Sequence, residues 1–179
     1  MIKYFDENEL LAVKKQYKNT IITIVLMCVA FLAVALLLVL TYAGLPYQDE
    51  RGTMMQVLTM VASAIYIFFI YITIGIKLKR VKKYLVMLND LNTITPAETV
   101  GIVKAFNEAL DTKDGVDTKC IIISVYVERR QDWFDRYVFV PYERELPPLK
   151  IDSKVKFYTV NNNLYGYEEL DGENAVIEG

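Results

Sequence analysis

The chain has no histidine, only two cysteines and, across two long stretches, no charged side chain. Lack of histidine removes the commonest general base, the commonest zinc ligand and the near-neutral imidazole switch. Cys28 falls in an apolar run and Cys120 at the start of a β-like run, so a disulfide framework is excluded and nothing contradicts a reducing compartment. Walker loop, GxSxG, CxxC and HExxH are all missing, so the sequence assigns no catalytic residue, no cofactor and no metal site, and predicts a protein that is not an enzyme. Asp111, Asp114 and Asp117 recur every third residue but lack the ligand density of a calcium loop, and read as a solvated loop.

What is present is hydrophobic length. Residues 53–76 carry no charge and end in Lys77, Lys79, Arg80, Lys82 and Lys83. A helix rises about 1.5 Å per residue, so roughly 20 apolar residues cross a hydrocarbon core of about 30 Å. This stretch predicts a transmembrane helix with a basic juxtamembrane extension over 77–92. Residues 20–42 predict another, too long in its apolar core for a signal peptide and therefore uncleaved. Residues 1–19, with Asp6 or Asn8 as N-cap, predict an amphipathic lead-in helix, and 43–52 a short external loop with Gly44, Pro46 and Gly52 as breakers. Lys14, Lys15 and Lys18 before the first span and the five basic residues after the second place both termini in the cytoplasm by the positive-inside rule. Tyr42, Tyr47 and Tyr84 are candidates for the membrane interfaces. The basic run serves as topology signal and headgroup contact.

Polar residues of the second span, Gln56, Thr59, Ser63, Tyr66 and Thr73, fall on one helix face. That face reads as a packing stripe toward the first span, another protomer or a pore. Beyond the bilayer, Ile74, Leu78, Val81, Leu85 and Leu88 form a narrow heptad seam. It fits a coiled-coil stalk, and equally a helix that packs on its own domain or on the lipid surface with Tyr84 and Leu91 widening its apolar side.

From residue 93 the period changes to two. Segments 99–106, 119–128, 136–142, 154–160 and 164–168 are rich in Val, Ile, Tyr and Phe and predict five short strands. Ile121, Ile123, Val125 and Val127 make one wholly apolar face, marking a central strand. Residues 93–179 thus predict a cytosolic five-stranded β-barrel of SH3 or OB type, since closure removes exposed edges. Its last residues, 172–179, read as a frayed tail. The predicted whole is a membrane α+β chain, a two-helix transmembrane hairpin followed by that barrel.

Charge is partitioned: residues 1–90 hold 10 Lys+Arg against 6 Asp+Glu, and residues 91–179 hold 10 against 16. An acidic soluble part argues against nucleic acid, whose backbone is held by clustered Lys and Arg. Within the barrel, Arg129, Arg130, Trp133 and Arg136 surround one inter-strand turn and form a candidate interaction surface. The plainer reading has Trp133 capping one barrel end, with the arginines paired to Glu128, Asp132 and Asp135. Tyr126, Tyr137, Tyr142, Tyr158, Tyr165 and Tyr167 serve either core or surface.

The order of parts resembles bacterial membrane proteins of the NfeD family, which carry a small OB-like barrel on a short transmembrane segment. That resemblance transfers no residue or function. A second analogy is to two-span antiphage effectors that sense a nucleotide with a β-barrel. Two functions are therefore expected: a barrel in the cytoplasmic membrane that docks a protein partner or another copy of itself, or a ligand-gated pore whose barrel senses a small anion or nucleotide. The partners expected are the lipid bilayer and a membrane protein or homo-oligomer.

Overall fold

The computed structural model describes residues 1–4, 6–46 and 50–170, with residue 50 described in its main chain only. Tyr47, Asp49 and the 172–179 tail lie outside the described residues. Two compact units emerge, a helical one over Ala12–Lys82 and a β unit made of Met1–Leu11 with Lys83–Gly179.

The helical unit is built on α1 (Glu7–Ala43) and α2 (Glu50–Ile72). Each belongs to a helix long and apolar enough to cross a membrane, and none of either apolar window is buried inside the protein. A core helix of a soluble domain would bury that window. The lead-in and the first apolar run form one unbroken helix. It starts at Glu7 because the Asp6 carboxylate accepts the Asn8 N–H at 2.9 Å, an N-cap that satisfies one orphan donor.

Within the unit the least exposed positions of α1 step by four and three through Val13, Tyr17, Thr20, Ile24, Cys28, Phe31, Ala35 and Leu38, and those of α2 and the residue after it likewise through Met55, Thr59, Ser63, Tyr66, Ile70 and Thr73. This is the seam of two antiparallel helices packed side by side. The phenol of Tyr66 lies 3.1 Å from Cys28 Sγ, and its ring stacks on Phe31 with centroids 4.0 Å apart. Gln56 Nε2 donates to Tyr42 Oη at 3.2 Å, and these contacts fix the register.

After α2, Thr73–Leu78 forms a π-helical segment that leads into α3 (Lys79–Thr93). The wider turn rotates α3 relative to its place in a continuous α-helix. Ile74 consequently leaves the heptad seam and is 42% exposed. In the β unit, Met87, Leu88 and Leu91 of α3 are buried, Lys83 lies against Gly115, and Asn161 Nδ2 reaches Asp90 Oδ2 at 3.5 Å. The end of α3 therefore packs on its own β unit. Tyr84 belongs to this packing and is half-buried, with its hydroxyl donating to Glu9.

The β unit holds β1 (Ile2–Lys3), β2 (Ala97–Lys113), β3 (Val116–Val127), β4 (Asp132–Pro141), β5 (Lys154–Val160) and β6 (Asn163–Glu169). Strands β2, β3 and β4 form an antiparallel meander, β5 crosses to the free side of β2, β5 and β6 pair antiparallel, and β6 meets β4 in parallel at Asn163 and Phe139. The result is a closed five-stranded mixed barrel. Its core is Val103, Ile121, Ile123, Val138, Val140, Val155, Phe157 and Leu164, with Leu149 of the β4–β5 connection inserted among them.

Two expectations need correction. Residues 1–4 are not helical, because β1 pairs with Tyr167 and Gly166 of β6. The first barrel strand runs on to Lys113, since register shifts between Val103 and Ala105 and between Asn107 and Asp111 bend it around the barrel instead of ending it. The turn after it is only Asp114-Gly115, both with positive φ (54° and 78°), and Asn161-Asn162 repeats the device at 51° and 63°. Both are the primed hairpin turns that match strand twist.

Candidate functional site: an aromatic barrel face and a polar hairpin seam

Strand alternation divides the predicted surface cluster. On β4, Val138 and Val140 face the core, so the even positions point inward and the odd ones outward. Trp133 stands on the outer face at 51% exposure, opposite Tyr126 of β3, with ring centroids 5.4 Å apart and tilted by 59°. Tyr137, two outward positions further along, is also half-exposed, and its neighbour across the strands is Ile122. Between them Lys104 Nζ donates to Asp135 at 2.8 Å. Trp133 is therefore part of an exposed aromatic row and not a cap on the barrel end.

Arg136 belongs to the opposite pleat. Its guanidinium donates to Thr99 Oγ1 at 2.6 Å, to Asn162 Oδ1 at 2.9 Å and to Thr159 Oγ1 at 3.4 Å. It ties β4 to β2, β5 and the β5–β6 turn. An arginine so engaged is a brace across the barrel and is not presented to a ligand. Arg129 and Arg130 occupy the β3–β4 turn with Arg130 over the Phe134 ring at 5.1 Å, and neither makes an ion pair among the described residues. Phe134 and Val127 have inward parity yet are not buried, because no other strand runs beneath them. The β3–β4 hairpin thus projects beyond the barrel and carries aromatic residues on both faces.

The tyrosines divide in the same way. Tyr167 is buried in the core, Tyr158 donates to Glu168 Oε2 at 3.2 Å, and Tyr126, Tyr137 and Tyr142 are exposed. Cys120 is buried and its thiol is pushed above its ordinary pKa by that burial. Among the described residues no three His, Cys, Asp or Glu side chains come together to hold a metal.

A second cluster was not legible as a site in the sequence. Arg144, in the β4–β5 connection, donates to the Glu9 carboxylate and to the Tyr4 carbonyl, and lies over the Tyr4 ring at 5.1 Å. Glu9 also accepts from Tyr84, and the Tyr4 hydroxyl donates to the Glu145 carbonyl. One carboxylate thereby joins the start of α1, α3 and the barrel. Its only trace in the sequence is Glu9 itself, ordinary in the first turn of a helix.

In the helical unit the structure places Thr59, Ser63, Tyr66 and Thr73 half-buried, whereas Gln56 is exposed and turns to Tyr42. Thr59 and Thr73 donate back to the carbonyls four residues earlier, at 2.8 Å each, so their hydroxyls are satisfied within the helix. Leu38, Val39, Tyr42, Met55, Gln56, Thr59, Met60 and Ser63 line an open groove of about 380 Å³ between the helices. Lys77, Lys79, Arg80, Lys82 and Lys83 are spread around the helix beyond α2.

No known protein family, curated protein or solved structure matches this chain.

Proposed function

We propose that this is a non-enzymatic protein of the cytoplasmic membrane, anchored by the α1–α2 hairpin with both termini cytoplasmic, whose barrel docks a protein partner or a second copy of itself. The barrel is of OB type. Numbered within the barrel, its strands pair one with two, two with three, three with five in parallel, five with four and four with one. OB barrels bind on the outer face of their second and third strands. Here that face is β3 and β4, and the observation that carries the reading is its row of half-exposed Tyr126, Trp133 and Tyr137. Large aromatic side chains bury much area at modest entropy cost and dominate docking energies. The acidic balance of the unit favours a protein over a nucleic acid.

The test is a photo-crosslinking residue placed at position 137 in the full chain in its native membranes. A discrete protein adduct that Trp133→Ala abolishes is expected, and a ladder or no adduct would count against a docking face. The mass of the purified chain in mild detergent separates self-association from a foreign partner. A ligand-sensing reading draws on the exposed, tilted Trp133–Tyr126 pair, a surface on which a base could stack, while Arg130 lies over Phe134 on the other face of the same hairpin. A nucleotide panel that raises the melting temperature of the full chain would favour it.

A further inference from the structure

The hairpin brings together two lysine pairs that lie more than sixty residues apart in the sequence. The seam positions near its basic end are Val13 and Tyr17 on α1, and Leu78 and Val81 on the segment after α2. Each is followed by a lysine: Lys14, Lys18, Lys79 and Lys82. One residue past the seam means a rotation of about 100° from it. In two antiparallel right-handed helices that rotation leads to the same side of the pair. All four lysines therefore flank one side of the seam at one end of the hairpin, and all four are exposed.

Among the described residues none of the four makes an ion pair within the protein. By sequence the acidic residues of Ala12–Lys82 are Asp49 and Glu50 alone, more than 25 residues from any of the four lysines. Toward the other end, the same rotation past the seam gives Ile21, Val25 and Leu32 on α1, and Ile74, Tyr71 and Ile67 on the antiparallel helix. All are exposed and apolar but for the tyrosine hydroxyl. Four cations at the head of an apolar flank have the chemistry of a site for an amphiphile with an anionic head and hydrocarbon tails.

We infer that Lys14, Lys18, Lys79 and Lys82 form a binding site for an anionic phospholipid, its phosphate held by the lysines and its acyl chains lying on the flank of the hairpin. The site rests on the membrane reading of the proposed function and goes beyond it. A topology signal needs basic residues anywhere near the span ends, whereas this site needs them on one side. Lys15 and Lys77 lie off that side, on the back of α1 and on the other flank.

The discriminating experiment compares two variants of equal charge, K14Q/K79Q and K15Q/K77Q, each losing one lysine from either helix. Full-length protein in mild detergent is titrated with dioleoylphosphatidylglycerol, dioleoylphosphatidylcholine or sodium pyrophosphate, with bound lipid read by native mass spectrometry and melting temperature alongside. Each lysine contributes about fivefold, so K14Q/K79Q should weaken phosphatidylglycerol binding roughly 25-fold. K15Q/K77Q should weaken it less than about threefold, and phosphatidylcholine should not bind discretely. Equal weakening in the two variants would show a diffuse charge effect and overturn the site. Stabilisation by pyrophosphate equal to that by lipid would overturn the lipid assignment. Failure of the membrane reading is seen separately, as a chain released from membranes by alkaline carbonate without detergent.

Discussion

Glu9→Gln is the sharpest perturbation available in the β unit. The Glu9 and Arg144 side chains are only 25% and 21% exposed, so solvent screens their pairing little. The same carboxylate accepts the Tyr84 hydroxyl. Glutamine keeps the shape and one acceptor oxygen but loses the charge and the second acceptor. Arg144 is then left half-buried, with the Tyr4 carbonyl as its remaining partner in the cluster. A hydrogen bond to a charged group contributes about 1.5–3 kcal/mol net, and breaking a fully buried pair costs more. A loss of about 2 kcal/mol is expected.

For a unit of this size each kcal/mol moves the melting temperature by about 4–8 °C, so Glu9→Gln should lower it by roughly 8–16 °C. Glu7→Gln is the internal control. Glu7 pairs with Lys3 at 3.0 Å, but both side chains are well exposed, at 69% and 41%, and such pairs contribute little. Its loss should shift the melting temperature by no more than about 2–4 °C. The measurement is thermal unfolding of the full chain in detergent monitored by circular dichroism of the β signal, with hydrogen exchange at Ile2 and Tyr167 as a local readout. Because β1 is tethered next to Tyr4, exchange there should rise in Glu9→Gln and stay unchanged in Glu7→Gln. If the two variants melt alike, Glu9 does not hold the cluster together.

Three further outcomes are expected from the packing. Burial, with Glu143 and Tyr4 adding to it, pushes the Tyr84 phenol up to about 12. The folded protein keeps its proton while the unfolded chain loses it above about pH 10, so stability should fall by roughly 2–3 kcal/mol between about pH 10 and 12. Denaturant titration across that range should show the slope, and Tyr84→Phe should remove it. Gly101→Ala would set a Cβ 2.9 Å from the Ser124 carbonyl oxygen and 3.2 Å from Val125 Cγ2. Backbone cannot yield there cheaply, so β2 and β3 must part at about 1–3 kcal/mol, visible as a lower melting temperature. Ser63→Leu puts bulk into the half-buried seam of α2, whereas Ile67→Leu changes a position that is 62% exposed. The first should lower thermal stability or oligomer fraction in detergent and the second should not, and equal behaviour would make the polar seam incidental.

The sequence made some of this plain and concealed the rest for definable reasons. Both long apolar helices were readable from the length of their uncharged runs, and all five barrel strands from the period of two that burial imposes. Asp114-Gly115 and Asn161-Asn162 were readable as turns because few side chains tolerate positive φ. The heptad seam misled at Ile74 alone of its five positions, since a π-helical turn shifts phase without leaving a mark in the residue pattern. Sequence proximity groups Arg136 with Arg129, Arg130 and Trp133. A count of parity from Val138 and Val140 puts it instead on the inner pleat, and it was the long side chain that obscured this.

β1 shows how a signal too short to read can still be inferred from its partner. Two residues, Ile2 and Lys3, carry no periodicity, but Gly166 in the middle of LYGYE does carry information. A glycine inside a strand marks a close backbone approach. Here a Cβ on Gly166 would lie 2.8 Å from the Ile2 carbonyl oxygen. The approach is needed because β6 has two edges. Strand β5 covers one along its length, while β4 reaches the other only at Asn163. Beyond that point β6 would present unpaired amides and carbonyls, a template for pairing with another chain. β1 pairs with Gly166 and Tyr167 where β4 does not reach them, and the Tyr4 N–H extends the pairing to the Tyr165 carbonyl at 2.9 Å. Cover for that edge of β6 thus comes from the first four residues of the chain, which are fixed at their far end by Arg144 and Glu9. The cluster that one carboxylate holds together thereby also protects the remaining open edge of β6.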